Sequence, residues 1–135
     1  MTKKFKLKKV FLLFLVPLLM ATQFENKDIN SGFETTYLLQ NNSSIDLILI
    51  TEEDQQIVIE NKAIIPIGSN LNATTDPIIP LDSVIFNSIK LYKKESDNFI
   101  LVYKQEPIES ALWIVNEPSI NKYDYTFIIT DALIN

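Results

Sequence analysis

The chain has no cysteine, no histidine and no arginine, and only two glycines in 135 residues. Each absence removes a chemistry. Without thiolate or imidazole there is no zinc site of the usual kind, and neither a Ser-His-Asp nor a Cys-His nucleophile can be assembled. Without guanidinium there is no bidentate clamp on carboxylate or phosphate. Gly32 and Gly68 stand too far apart to build a glycine-rich phosphate loop. No disulfide can form, so core packing must carry stability that small exported domains often draw from such bridges. Nor does any stretch keep a helical period, beyond a short turn near Glu109 and Leu112 and a closing turn over 131–134.

What is present begins with five lysines, Lys3, Lys4, Lys6, Lys8 and Lys9, that run into an apolar stretch over 10–21. That order is the pattern of a secretory signal. The stretch is twelve residues long and contains Pro17, whereas a spanning helix needs about twenty apolar residues. We therefore expect a signal peptide over 1–21, cut between Ala21 and Thr22, and a periplasmic, secreted or cell-surface product. Left uncut, this segment would be the chain's one contact with the membrane. After residue 21, seven lysines face seventeen acidic residues, a net charge of −10. A surface of that sign repels phosphate backbones, which disfavours nucleic acid as a partner.

Residues 22–34 are polar, with little to bury, and read as a flexible linker. From 35 to 135, short β-branched and aromatic runs alternate with turn clusters, which predicts strands over 35–40, 45–51, 56–60, 63–67, 84–92, 99–104, 112–116 and 123–130. In the last of these Tyr123, Tyr125, Phe127 and Ile129 share one face, as a half-buried strand requires. Residues 99–103 are apolar throughout, the pattern of a central strand covered on both faces. The alternation over 84–92 slips near Asn87 and Ser88, where a bulge would restore it. The polar turn over 93–98 predicts a hairpin. Pro66, Pro77 and Pro80 put residues 63–81 at a sheet edge or in a long connection. The rhythm predicts an all-β, antiparallel, immunoglobulin-like sandwich of seven to eight strands, with a barrel as the alternative.

Candidate sites are few. Glu52, Glu53 and Asp54, with Asp76 and Asp82, offer the clustered oxygens calcium wants, but they match no calcium-loop spacing and fit a solvated turn better. Paired carboxylates able to work on a glycosidic bond would need a cleft for which a domain this small has little room. Neither a catalytic residue, a metal site nor a cofactor is expected. The aromatics Tyr92, Tyr103, Trp113, Tyr123 and Tyr125 suit core packing. Trp113 is kept as a candidate contact for a ligand or partner, because Leu112 and Ile114 beside it would then face inward. Asn41, Asn42 and Asn72 each open an N-x-S/T triplet. An edge strand over 63–67 would allow strand addition, unless Pro66 blunts it.

Three segments together carry a resemblance: Asn41-Asn42-Ser43-Ser44 before an apolar strand, Asp82-Ser83-Val84-Ile85-Phe86, and the ending from Tyr123 to Asp131. In them the chain resembles the small exported lipoproteins of Bacteroidetes, single β-sandwich domains of mostly unknown function. The resemblance implies a fold and a compartment, and no catalytic residue comes with it. It departs at Leu19-Met20-Ala21, which looks like a lipobox but is followed by Thr22 where the family has the cysteine that accepts lipid. The expected role is non-enzymatic binding of another envelope or surface protein. The alternative is a carbohydrate-binding module built on exposed aromatics. The oligomeric state has no sequence signal.

Overall fold

The computed structural model describes residues 32–73 and 76–134. The expected signal segment, its cleavage point at Ala21 and Thr22, and most of the expected linker lie outside the described residues. Eight strands follow: β1 (Phe33–Asn41), β2 (Leu47–Ile50), β3 (Gln56–Ile59), β4 (Ile64–Asn72), β5 (Ile89–Glu95), β6 (Asn98–Gln105), β7 (Trp113–Ser119) and β8 (Lys122–Ile129). They form two four-stranded sheets, ordered β4-β1-β8-β7 and β3-β2-β5-β6, packed as a sandwich. Among the described residues no helix is long and apolar enough to cross a membrane.

The first sheet contains one parallel pair. β1 lies beside β8 with Glu34 opposite Lys122 and Asn41 opposite Ile129, so the first and last strands of the sandwich are neighbours. The other pairings are antiparallel. Alternation explains which side of each strand is buried: Thr35, Tyr37, Leu39 and Asn41 of β1 and Tyr125, Phe127 and Ile129 of β8 point inward. The opposite sheet meets them with Leu47, Leu49, Ile59, Ile89 and Leu91.

Aromatic rings fill the middle of this core. Tyr37 packs edge-on to Phe86 with ring centroids 5.2 Å apart, Phe86 stacks on Trp113 at 5.6 Å, and Trp113 tilts against Phe127 at 5.5 Å. The separations lie in the range where ring quadrupoles attract, which adds about 0.5–1.5 kcal/mol per pair to the burial itself. The Tyr37 hydroxyl donates to the Ile78 carbonyl at 2.7 Å and accepts from Asn70 Nδ2 at 3.0 Å, so its polar end is satisfied.

Several local expectations change in the folded chain. The first strand begins at Phe33, two residues before the expected 35, because Phe33 stacks on Tyr123 of β8 at 6.0 Å. Val84 through Ser88 do not belong to a strand; β5 starts at Ile89, since Phe86 leaves the sheet plane to enter the core. The bulge expected at Asn87 and Ser88 is instead a register shift between Leu91 and Tyr92 opposite β6, with Val102 as the extra residue. A second shift, in β4 opposite Tyr37 and Leu38, falls at Pro66 and Gly68. At Gly68 a Cβ would stand 2.5 Å from Ile85 Cγ2, so any larger residue must displace the Ile85 side chain.

Asn41 ties the two sheets together. Fully buried, its Nδ2 donates to the carbonyls of Ile45 at 2.8 Å, Ile59 at 2.9 Å and Glu60 at 3.3 Å. Its Oδ1 accepts from the Ser43 amide at 3.0 Å and the Ser43 hydroxyl at 2.6 Å.

Asn41→Ala leaves the buried Ile59 carbonyl and the part-buried carbonyls of Ile45 and Glu60 without their donor, at about 1–3 kcal/mol for each buried group left unsatisfied. We expect a loss of about 3 kcal/mol or more, read as a lowered urea midpoint with an unchanged slope; an unchanged midpoint would show that the amide is dispensable. Burial raises the pKa of the Tyr37 phenol, with smaller opposing contributions from Asn70 and Ser83, and burial likewise raises that of Tyr125. Unfolded tyrosine ionises near pH 10, so the folded state holds the proton more tightly. This stability is complete below about pH 10 and is lost as pH rises through the folded values. Tyrosinate absorbance and thermal midpoints recorded along one alkaline series should show the two changes together.

Candidate functional site

Trp113, the one aromatic kept as a contact candidate, is only 5% exposed. Its place in the alternation is the reverse of the expected one: Trp113 faces the core, while Leu112 and Ile114 face solvent. The reason is polar as well as apolar. The indole Nε1 donates to Gln105 Oε1 at 3.1 Å, and the same oxygen accepts the Glu109 amide at 3.1 Å. Gln105 Nε2 in turn donates to the Tyr103 hydroxyl at 2.9 Å. A buried glutamine thus satisfies the indole, which could otherwise favour the surface. Tyr125 is buried as well, and the aromatics do not gather into an exposed platform.

The acidic residues are dispersed. Glu52, Glu53 and Asp54 form the exposed turn between β2 and β3. There Glu52 Oε1 accepts the Asn87 amide at 2.9 Å, fastening the turn to the connection before β5. Asp82 sits in a short 3-10 turn, Pro80–Asp82, in that connection. Among the described residues no group of three or more acidic side chains is placed to hold a metal ion. Of the N-x-S/T triplets, the one at Asn41 is closed to modification because its amide is fully buried and bonded. Asn42 is exposed.

Among the described residues each sheet has two edges, and three of the four are short or carry proline. β3 is four residues long. β4, which includes the expected edge over 63–67, carries Pro66 and a register shift. β7 carries Pro118 and loses register between Asn116 and Ser119. Short length, proline and bulges are the usual guards of an edge. The fourth edge is β6, eight residues without proline, which among the described residues pairs only with β5 and carries a bulge at Val102. This corrects the expectation that residues 99–103 form a central strand. Phe99 is 39% exposed and Leu101 47%. A run apolar on both faces marks a strand with no solvent-adapted side, and that is equally the property of an edge awaiting cover.

The outer face of the second sheet continues from this edge. Leu47, Leu49, Ile59 and Leu91 face the core, so the alternating positions face out. In register across the four strands, Val58 lies opposite Ile48, Ile48 opposite Tyr92, and Tyr92 opposite Leu101. This apolar row is flanked by Lys90 opposite Lys104, and by Lys94 opposite Phe99. None of these positions is acidic, in a chain with seventeen carboxylates. Beside the row an open groove of about 640 Å³ is lined by Ile45, Ile48, Val58 and Ile134 together with Lys93, Lys94, Asp46, Glu95 and Asp131.

Because Trp113 is enclosed, its fluorescence should be blue-shifted, resist acrylamide quenching and stay constant when polysaccharides are added. A saturable change on adding a polysaccharide would return Trp113 to the list of contacts.

In comparison with known proteins, no family model matches this chain, nor does any curated protein or solved structure.

Proposed function

We propose that the chain is an exported, non-enzymatic β-sandwich that binds another protein of the cell envelope or surface by adding a strand of that protein to β6. The observation that carries this reading is the β6 edge, the one edge among the described residues that is both eight residues long and free of proline, with Phe99 and Leu101 half exposed. An added strand would cover these side chains and satisfy the outward main-chain groups together, which is how strand addition obtains its affinity. The missing histidine, cysteine and arginine support a binding role over a catalytic one. The lysine cluster and apolar run at the N-terminus support export, as does the resemblance to exported lipoproteins.

The test is capture from envelope extract of the native host, comparing the unaltered chain with Phe99→Lys/Leu101→Lys and with Ile114→Lys on β7. Lysine blunts an edge, and both sites are exposed enough for folding to survive. Capture of one defined protein should be lost with the β6 pair and kept with Ile114→Lys. Equal capture by all three would exclude β6 as the docking edge.

A further inference from the structure

From the charge on the outer face beside β6, we infer that the strand it accepts is acidic, with a carboxylate opposite Lys104 and apolar side chains opposite Leu101 and Phe99. The inference rests on the strand-addition reading and specifies its partner. Lys90 and Lys104 stand directly opposite each other on neighbouring strands, an arrangement that repels. One carboxylate serves both: Glu106 accepts an ion pair from Lys104 at 2.7 Å, and Lys90 lies near enough to help hold its carboxyl below the usual range. Lys94, on the same face, has no ion pair among the described residues. The segment 89–106 therefore carries four lysines against three acids, while the chain as a whole is at −5.

The register sets the spacing. Lys104, Leu101 and Phe99 are opposite Lys90, Tyr92 and Lys94, which are two residues apart along β5, because the bulge at Val102 absorbs the extra residue. A regular antiparallel strand laid on the free side of β6 meets them at the same interval. Its outward side chains then read acidic, apolar, apolar at every second position. The carboxylate would supply a second counter-charge to the Lys90–Lys104 pair, which has Glu106 alone, and the apolar pair would extend the Val58–Ile48–Tyr92–Leu101 row by one strand.

The probe is a blocked synthetic peptide, Thr-Glu-Thr-Val-Thr-Val-Thr, with a twin in which lysine replaces glutamate, each titrated into the full chain and followed by backbone amide shifts of β6. The glutamate peptide should bind about tenfold more tightly than its twin at low salt, with the ratio shrinking as salt rises. Lys90→Glu/Lys104→Glu should invert the preference while leaving the thermal midpoint within a few degrees. Equal affinity for both peptides would overturn the acidic partner and leave strand addition standing. Failure of either peptide to shift β6, with capture also insensitive to Phe99→Lys/Leu101→Lys, would overturn strand addition itself. Self-association abolished by Leu101→Lys would show instead that a second copy occupies the edge.

Discussion

The sandwich depends on one buried amide. Asn41 closes β1, and its side chain reaches carbonyls in the connection before β2 and at the end of β3. Two sheets held by apolar contact alone can slide, because dispersion and burial have little direction. Hydrogen bonds inside a low-dielectric core do have direction, and a fully satisfied polar node there selects one arrangement over its neighbours. Asparagine suits the position because it offers two donors and an acceptor without a charge to desolvate. Nearby bonds reinforce that end of the sandwich: Asp131 accepts the Ser44 amide at 2.8 Å, Asp46 accepts the Asn61 amide at 2.8 Å, and Asn61 Nδ2 donates to the Ser43 carbonyl.

With the sheets registered, the remaining polar groups in the core find partners by short reach. Gln105 serves the indole of Trp113, and Asn70 serves the phenol of Tyr37. Both amides come from the ends of strands, where the interior gives way to loops. Tyr37, Phe86, Trp113, Tyr125 and Phe127 are taken up by this core, while Phe99 and Tyr92 are left on the outer side of the second sheet. Carboxylates occupy mainly the turns, and on the outer face of the second sheet Glu106, just past β6, pairs with Lys104. That division separates a solubilising perimeter from an apolar, basic face adjoining the open edge.

Much of the fold was legible in local pattern. Eight strands lie within a few residues of the runs that alternation and turn clusters marked. The β5–β6 hairpin turns at Ser96, whose φ of 55° the polar stretch accommodates. The proline-bearing segment is indeed an edge and a connection. The candidate site was less legible. Trp113 and Ile114 are neighbours in an apolar run, and nothing in the run says which of them faces inward; Gln105, eight residues away, decides it by capturing the indole. Likewise the run Phe99 to Tyr103 shows that neither side of the strand is adapted to water, but not whether another strand lies beside it.

Residue order along the chain was therefore enough for the class of the fold, for the number of strands to within one and for the exclusion of whole chemistries, because alternation, turn preference and missing side-chain types are local properties. The parallel pairing of β1 with β8, the inward turn of Trp113, the exposed position of β6 and the apolar row beside it come from pairings between residues far apart in sequence. Whether an apolar strand ends as an interior strand or an open edge depends on how many neighbours it acquires, and neighbours are assigned only when the sheets assemble.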